Sequence, residues 1–242
     1  NDRHRREWLA LEGAVYRSAT RIFLGSEFVR RAMIDHYGVK AEHVFAVGFG
    51  PGGGFGTPYK KTYDGRSILY VGKGDFERKG GSVLLKAFEK VRTQIPDAVL
   101  HVVGQDRLPT GDGVVSHGFV RDRDRIVELM QQANVLTLPS LIDRFGIVLV
   151  EAMAASTPCV ASDYGAMPEI VGDAGLAVPA GDVDALSKAL ISILQDKEYS
   201  ARLGAAGRRR FEEKYNWDGI WHLVSSEMRT ALREFYRPTT GS

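Results

Sequence analysis

The sequence predicts an α/β fold, a Rossmann-like doubly wound parallel sheet, on three observations. From Ser67 onward, short runs rich in Val, Ile and Leu alternate with stretches of helical period, the pattern of strands covered by helices. The apolar runs are nearly continuous, not alternating, as expected of strands buried on both faces. The first two runs flank a segment whose Val83, Leu84, Ala87, Phe88 and Val91 line one helical face, which makes a strand–helix–strand unit.

Taken in order, strands are predicted at residues 68–72, 98–104, 134–138, 159–162 and 176–178. Helices are predicted at 82–92, 122–132, 146–155, 182–195 and 200–214, the fourth opening with Asp182 as its cap. Upstream, 20–26 reads as a strand, 27–37 as a helix and 43–47 as a strand, a fragment of a second α/β unit. Between the two lies a break, with five glycines and a proline among the seven residues Gly50 to Gly56. Such a stretch is neither helix nor central strand. An interdomain linker is the favoured reading and a glycine-rich ligand loop its rival.

Composition narrows the functional classes. With 44% hydrophobic and 26% charged residues, the chain can bury an ordinary globular core. A net charge of +2 gives no reason to expect nucleic acid as a partner. No uninterrupted apolar run of about 18 residues occurs, and the polar start is not followed by a signal-like segment, so a cytoplasmic protein is expected. The basic clusters Arg3 to Arg6 and Arg208 to Arg210 read as solvated helix faces, with peripheral contact to anionic lipid headgroups as the alternative. Cys159 lies in an apolar run and reads as a buried strand thiol, and the six histidines show no metal-ligand spacing. His101 reads as structural, and His117 is left open. Trp217 and Trp221, four apart, are expected to pack one helix face into the core.

In a doubly wound sheet, ligands bind beyond the carboxyl ends of the strands. The first such turn, Gly72-Lys73-Gly74-Asp75-Phe76-Glu77-Arg78-Lys79-Gly80-Gly81, combines small residues for close backbone approach with two lysines for phosphate oxygens. The helix start after Gly80 adds free N–H groups. The turn has neither the Gly-x-Gly-x-x-Gly fingerprint nor a phosphate loop ending in Gly-Lys-Ser/Thr. A second turn follows the strand ending at Pro139. It carries Asp143, and Gly146 opens a helix on which Glu151 lies more than one turn in. The amides of Gly146, Ile147 and Val148 would face an anion, and the two carboxylates could hold hydroxyls at two ends of an extended ligand.

The run from Pro139-Ser140 through Phe145-Gly146-Ile147-Val148-Leu149-Val150-Glu151-Ala152-Met153-Ala154-Ala155 to Thr157-Pro158-Cys159-Val160-Ala161-Ser162 resembles the signature of retaining GT-B glycosyltransferases of the GT4 family. That signature places two acidic residues, separated by seven, around Phe-Gly. Gly72-Lys73 and Arg78-Lys79-Gly80 are similar to the family's basic pair. Ser116 to Val120 resembles its base-binding strand end, and Asp163 to Val171 its following helix entry.

The resemblance implies that Lys73 and Lys79 neutralise the diphosphate of a nucleotide-sugar donor, with Gly72 in the same turn, and that Glu151 binds ribose hydroxyls. Asp143 would contact the transferred sugar, Phe145, Gly146 and Ile147 would offer backbone N–H groups, and the backbone of Val120 would meet the base. Asp143 stands where the family usually has glutamate, and Lys73 replaces the commoner arginine, losing its bidentate geometry. No cofactor and no metal are implied; the donor is itself the substrate. Residues 1–50 then read as a remnant of an acceptor-side domain, 51–66 as a linker, 67–215 as the nucleotide-sugar-binding domain and 216–242 as a helix returning toward the first domain. The acceptor, a glycan, lipid or small molecule, is not specified, and the chain alone is expected to be incomplete for turnover. The alternatives are a noncatalytic nucleotide-sugar-binding module and a nucleotide-sugar epimerase of the same architecture.

Overall fold

The structure is a computed structural model that describes residues 2–55, 59–105 and 111–236. Parts of the glycine-rich break (56–58) and the end of the C-terminal segment (237–242) lie outside the described residues. The chain divides into two compact units, one formed by Asn1–Phe49 with Asn216–Ser242 and the other by Gly50–Tyr215.

The first unit holds α1 (Asp2–Ser18), β1 (Ile22–Leu24), α2 (Glu27–Tyr37) and β2 (Val44–Ala46). β1 and β2 pair in parallel around a small core of Met33, Val39 and Val44. Ser26 caps α2 by accepting from the Val29 N–H, and Gly38 ends it in the left-handed region at φ 64°.

In the second unit, β3 (Ser67–Val71), α3 (Gly81–Gln94), β4 (Val99–Val103), β5 (Val114–Ser116), α4 (Arg123–Gln132), β6 (Val135–Leu138), α5 (Ile147–Ala154), β7 (Cys159–Ser162), α6 (Met167–Val171), β8 (Gly175–Val178), α7 (Val183–Gln195) and α8 (Lys197–Arg210) follow in order. The strands form one six-stranded sheet in the order β5-β4-β3-β6-β7-β8, every pair parallel. This is the doubly wound, Rossmann-like sheet the sequence predicts. β3, β6 and β7 are almost fully buried, with one apolar cluster on each face of the sheet. β5 is an edge strand with two exposed residues, too short at three residues to stand out by pattern.

A π-helical turn, Phe211–Tyr215, follows α8, and the chain returns to the first unit as α9 (Trp217–Phe235). Here the structure corrects one expectation. Trp217 and Trp221 are 54% and 67% exposed, and on α9 only Ile220 is buried. They do share a helix face, but with the exposed Met228, Leu232 and Phe235, not with a core.

The arginines of the second basic cluster are engaged within the protein. Arg208 donates to the Ala154 carbonyl and to Glu212, Arg209 pairs with Asp173, and Arg210 donates to the carbonyls of Glu169 and Ile170. Arg208 and Arg210 tie α8 to α5 and α6, while Arg209 stays exposed, as a solvated helix face predicts. Among the described residues, no helix is long and apolar enough to cross a membrane.

Candidate functional site

The sheet order reverses between β3 and β6: β4 and β5 follow on one side, β7 and β8 on the other. A crevice forms at the carboxyl ends of two strands whose connections diverge in this way. The two turns singled out by sequence lie there, after β3 and after β6, and are joined to each other. The Leu141 N–H donates to the Arg78 carbonyl at 2.9 Å, and Arg78 Nη1 donates to the Ile142 carbonyl at 2.9 Å. Gly80 makes the approach possible, since a Cβ there would sit 1.9 Å from the Pro139 carbonyl oxygen.

Both helices that open onto this crevice begin in the same unusual way. Gly80 precedes α3 at φ 76° and Gly146 precedes α5 at φ 78°, and neither helix start is capped by a side chain. The positive end of each helix dipole therefore lies at the crevice without a capping side chain, although the Gly81 N–H donates to the Phe76 carbonyl.

Two charged residues predicted to meet the donor lie side by side, with Lys79 Nζ 3.5 Å from Asp143 Oδ2 and both side chains largely buried. Asp143 also accepts from the Phe145 N–H at 3.4 Å and lies 3.5 Å from the Ser140 hydroxyl. Lys73 is not part of this group. Its ammonium lies 4.7 Å from the centre of the Phe119 ring, and the two residues line a cavity of about 420 Å³ together with Gly74, Gly104 and Gln105. Gln105 donates to the carbonyls of Gly72 and Gly74 and so fixes the turn. Gly72 is confined from below, because a Cβ would meet the Tyr70 hydroxyl at 2.4 Å. Val120 packs, partly buried, against the core on this face.

Glu151 is 5% exposed. Its carboxylate is paired with the Arg123 guanidinium and accepts from the Gly52 N–H at 3.2 Å. Neither partner was singled out by sequence. Arg123 lies at the start of the helix predicted at 122–132, in the alternating run Arg121-Asp122-Arg123-Asp124-Arg125, and Gly52 lies in the stretch favoured as a linker. In the structure, residues 50–55 pack on the second unit, with Phe55 buried in its core.

The remaining titratable candidates lie apart from this pair of turns. His101 Nδ1 and His117 Nε2 are 3.0 Å apart with their rings stacked, and burial lowers both imidazoles from their ordinary value. Burial pushes the Cys159 thiol up to about 12, which removes it from thiolate chemistry near neutral pH. Among the described residues, no cluster of three or more potential metal ligands occurs.

A doubly wound sheet with two uncapped helices and basic residues at its switch point defines an α/β domain suited to an anionic, extended ligand. The chain belongs to the glycosyl transferases group 1 family, whose model matches residues 59–210. It is 39% identical over 177 residues to a phosphatidyl-myo-inositol mannosyltransferase of Mycolicibacterium smegmatis, covering 68% of this chain and 44% of that protein. It is 33% identical over 173 residues to a GDP-mannose-dependent monoacylated alpha-(1-6)-phosphatidylinositol monomannoside mannosyltransferase of Corynebacterium glutamicum, covering 64% and 45%. Among solved structures, the sucrose-phosphate synthase of Thermosynechococcus elongatus superposes with a TM-score of 0.73 at 27% identity, over 93% of this chain and 62% of that one. The fold is thus the Rossmann-like half of the GT-B architecture. The chain spans under half the length of these two curated relatives.

Proposed function

We propose that the second unit is the donor-binding half of a glycosyltransferase that moves a sugar from a nucleoside diphosphate sugar to an acceptor with retention of anomeric configuration. The observation that carries this reading is the pair of uncapped helices, α3 and α5, opening beside Lys79 at the switch point of the sheet. A departing nucleoside diphosphate develops negative charge. The amides of residues 146–148, with Lys79 and Lys73, would meet that charge without rearranging, which is electrostatic leaving-group stabilisation. On this reading Asp143 holds the transferred sugar, Glu151 the ribose and the backbone of Val120 the base. The similarity to a GDP-mannose-dependent mannosyltransferase of Corynebacterium glutamicum favours GDP-mannose as the donor.

The first unit would contribute to the acceptor side, residues 51–66 would connect the units, and the C-terminal helix would belong with the acceptor side. Turnover by the chain alone is not part of the proposal. Titration calorimetry with GDP, UDP and ADP tests it, with GDP expected to bind most tightly. Lys79→Ala should weaken nucleoside diphosphate binding by about 1.5–3 kcal/mol, the range for a charged hydrogen bond. Unchanged affinity in that variant would remove the assignment.

A further inference from the structure

Glu151 is held by more than its own helix. The Arg123 guanidinium pairs with the carboxylate from the first turn of α4, and the Gly52 amide donates to it from the glycine-rich segment. Among the described residues both contacts converge on the same atom, Oε1. The guanidinium is itself fixed on two further sides. Its Nε approaches the Gly53 carbonyl at 3.4 Å, and its carbon lies 5.4 Å from the centre of the Phe55 ring, a ring buried in the core beside Val127. A side chain at position 52 would displace the guanidinium, because a Cβ there would come within 2.6 Å of it. Ring, guanidinium, carboxylate and strap backbone therefore form one packed assembly around a carboxylate that the protein has almost wholly withdrawn from water.

A carboxylate has about four acceptor positions, two on each oxygen. Two donors on Oε1 fill that oxygen and fix the rotation of the group, which leaves Oε2 as the acceptor for an incoming hydroxyl. We propose that Arg123, with the Gly52 amide, is the positioning residue of the donor site, locking the Glu151 carboxylate so that Oε2 receives a ribose hydroxyl. This rests on the donor-site reading above and deepens it. Arg123 touches no reacting atom; it acts through Glu151. The glycine-rich segment then belongs to the nucleotide site and is more than a connector.

The test uses the whole chain, titrated with GDP and with 2′,3′-dideoxyguanosine diphosphate, which keeps base and diphosphate and lacks the ribose hydroxyls. Arg123→Ala should raise the Kd for GDP about tenfold, as loss of one oriented charged contact predicts, while the dideoxy nucleotide changes by less than about twofold. Arg123→Lys, which keeps the charge, should restore part of the loss, and a thermal melt of each variant separates this effect from unfolding. An equal loss for both nucleotides would assign Arg123 to the diphosphate, the base or the fold, and overturn the proposal. Unchanged or tighter GDP binding would overturn it too, the latter by showing that the assembly blocks Glu151. A wild type that binds GDP and its dideoxy form equally removes the ribose role of Glu151 together with this inference. A wild type that binds none of the nucleoside diphosphates removes the donor-site reading itself.

Discussion

The helices of this protein start in two different ways, and the difference marks out the site. Five of them carry a side-chain oxygen at the start: Ser26 before α2, Asp122 before α4, Asp182 before α7, Asp196 before α8 and Asn216 before α9. Each satisfies an amide that would otherwise lack a partner. α3 and α5 have no such residue and begin from left-handed glycines. The short α6 also lacks a side-chain cap; it follows β7, the neighbour of β6, and has Pro168, with no N–H, in its first turn. A glycine start in place of a capping side chain forgoes roughly a few tenths of a kcal/mol of local stability. At the point where the sheet reverses, that is a reasonable cost for amides that a diphosphate can use.

The largest expected effect comes from the glycine that makes one uncapped start possible. Gly80→Ala forces a Cβ to within 1.9 Å of the Pro139 carbonyl oxygen at a φ of 76°. The turn after β3 and the loop after β6 must then separate, at a cost of about 3 kcal/mol or more in unfolding free energy. Gly38 supplies the control. It has a similar φ of 64° with nothing within 4 Å of its Cβ position, so Gly38→Ala should cost only about 1 kcal/mol, the left-handed penalty alone. Urea unfolding of both variants measures the contrast. Equal losses would mean that the two turns are not locked together.

Much of this contrast can be read from the sequence, but not all. Asp182 announces itself as a cap, and Gly80 and Gly146 follow strand ends where close approach is expected, because propensity and strand pattern are local properties. Lys79 and Asp143 also emerge from local order, one in a basic turn and one in an acidic loop. What local pattern cannot give is which distant groups meet. Glu151 is paired by Arg123 and by Gly52, a residue 99 positions away, and nothing in either stretch distinguishes it from a charged surface or a flexible connector. The edge strand β5 was unreadable for the opposite reason. With one neighbour and only three residues, its Val114 and Val115 make too short an apolar run to read as a strand. The exposed Trp217 and Trp221 mislead because helical spacing shows that they share a face, not what covers it.

Helix ends differ as starts do, and α4 shows it. Lys61 Nζ donates to the Met130 and Gln131 carbonyls at the end of α4 and to the Thr157 hydroxyl. Burial pushes this ammonium down from 10.5 to about 7. Above pH 10.5 the lysine is neutral in both folded and unfolded chains and has no linkage effect. As pH falls from 10.5 toward 7, the unfolded chain takes up a proton that the folded chain does not, so stability falls across that window and levels off below it. Lys61→Met lacks this dependence. Its stability relative to the wild type should therefore rise, on the order of a few kcal/mol at most, as pH is lowered from about 10.5 to 7. Denaturant unfolding of both proteins at several pH values checks this, and a constant difference would show that Lys61 stays charged in the fold.

The smallest effect is the sharpest probe of the two kinds of helix start. Asp182 accepts from the Ala185 N–H at 2.9 Å and opens α7, whose apolar residues pack with those of α3 in one core cluster. Asp182→Ala should cost about 1 kcal/mol of unfolding free energy, the ordinary worth of an N-cap. Nucleoside diphosphate affinity should stay unchanged, because Asp182 already occupies the Ala185 amide and α7 contributes no residue to the donor site proposed above. Lys79→Ala should show the reverse, losing more affinity than its change in stability accounts for, since it removes a cation from the donor turn while Asp143 keeps its contacts to Ser140 and to the Phe145 N–H. If both variants lost affinity in proportion to stability, binding would be reporting general integrity of the fold. If they separate, the capped helices carry the fold, and the uncapped ones carry the ligand.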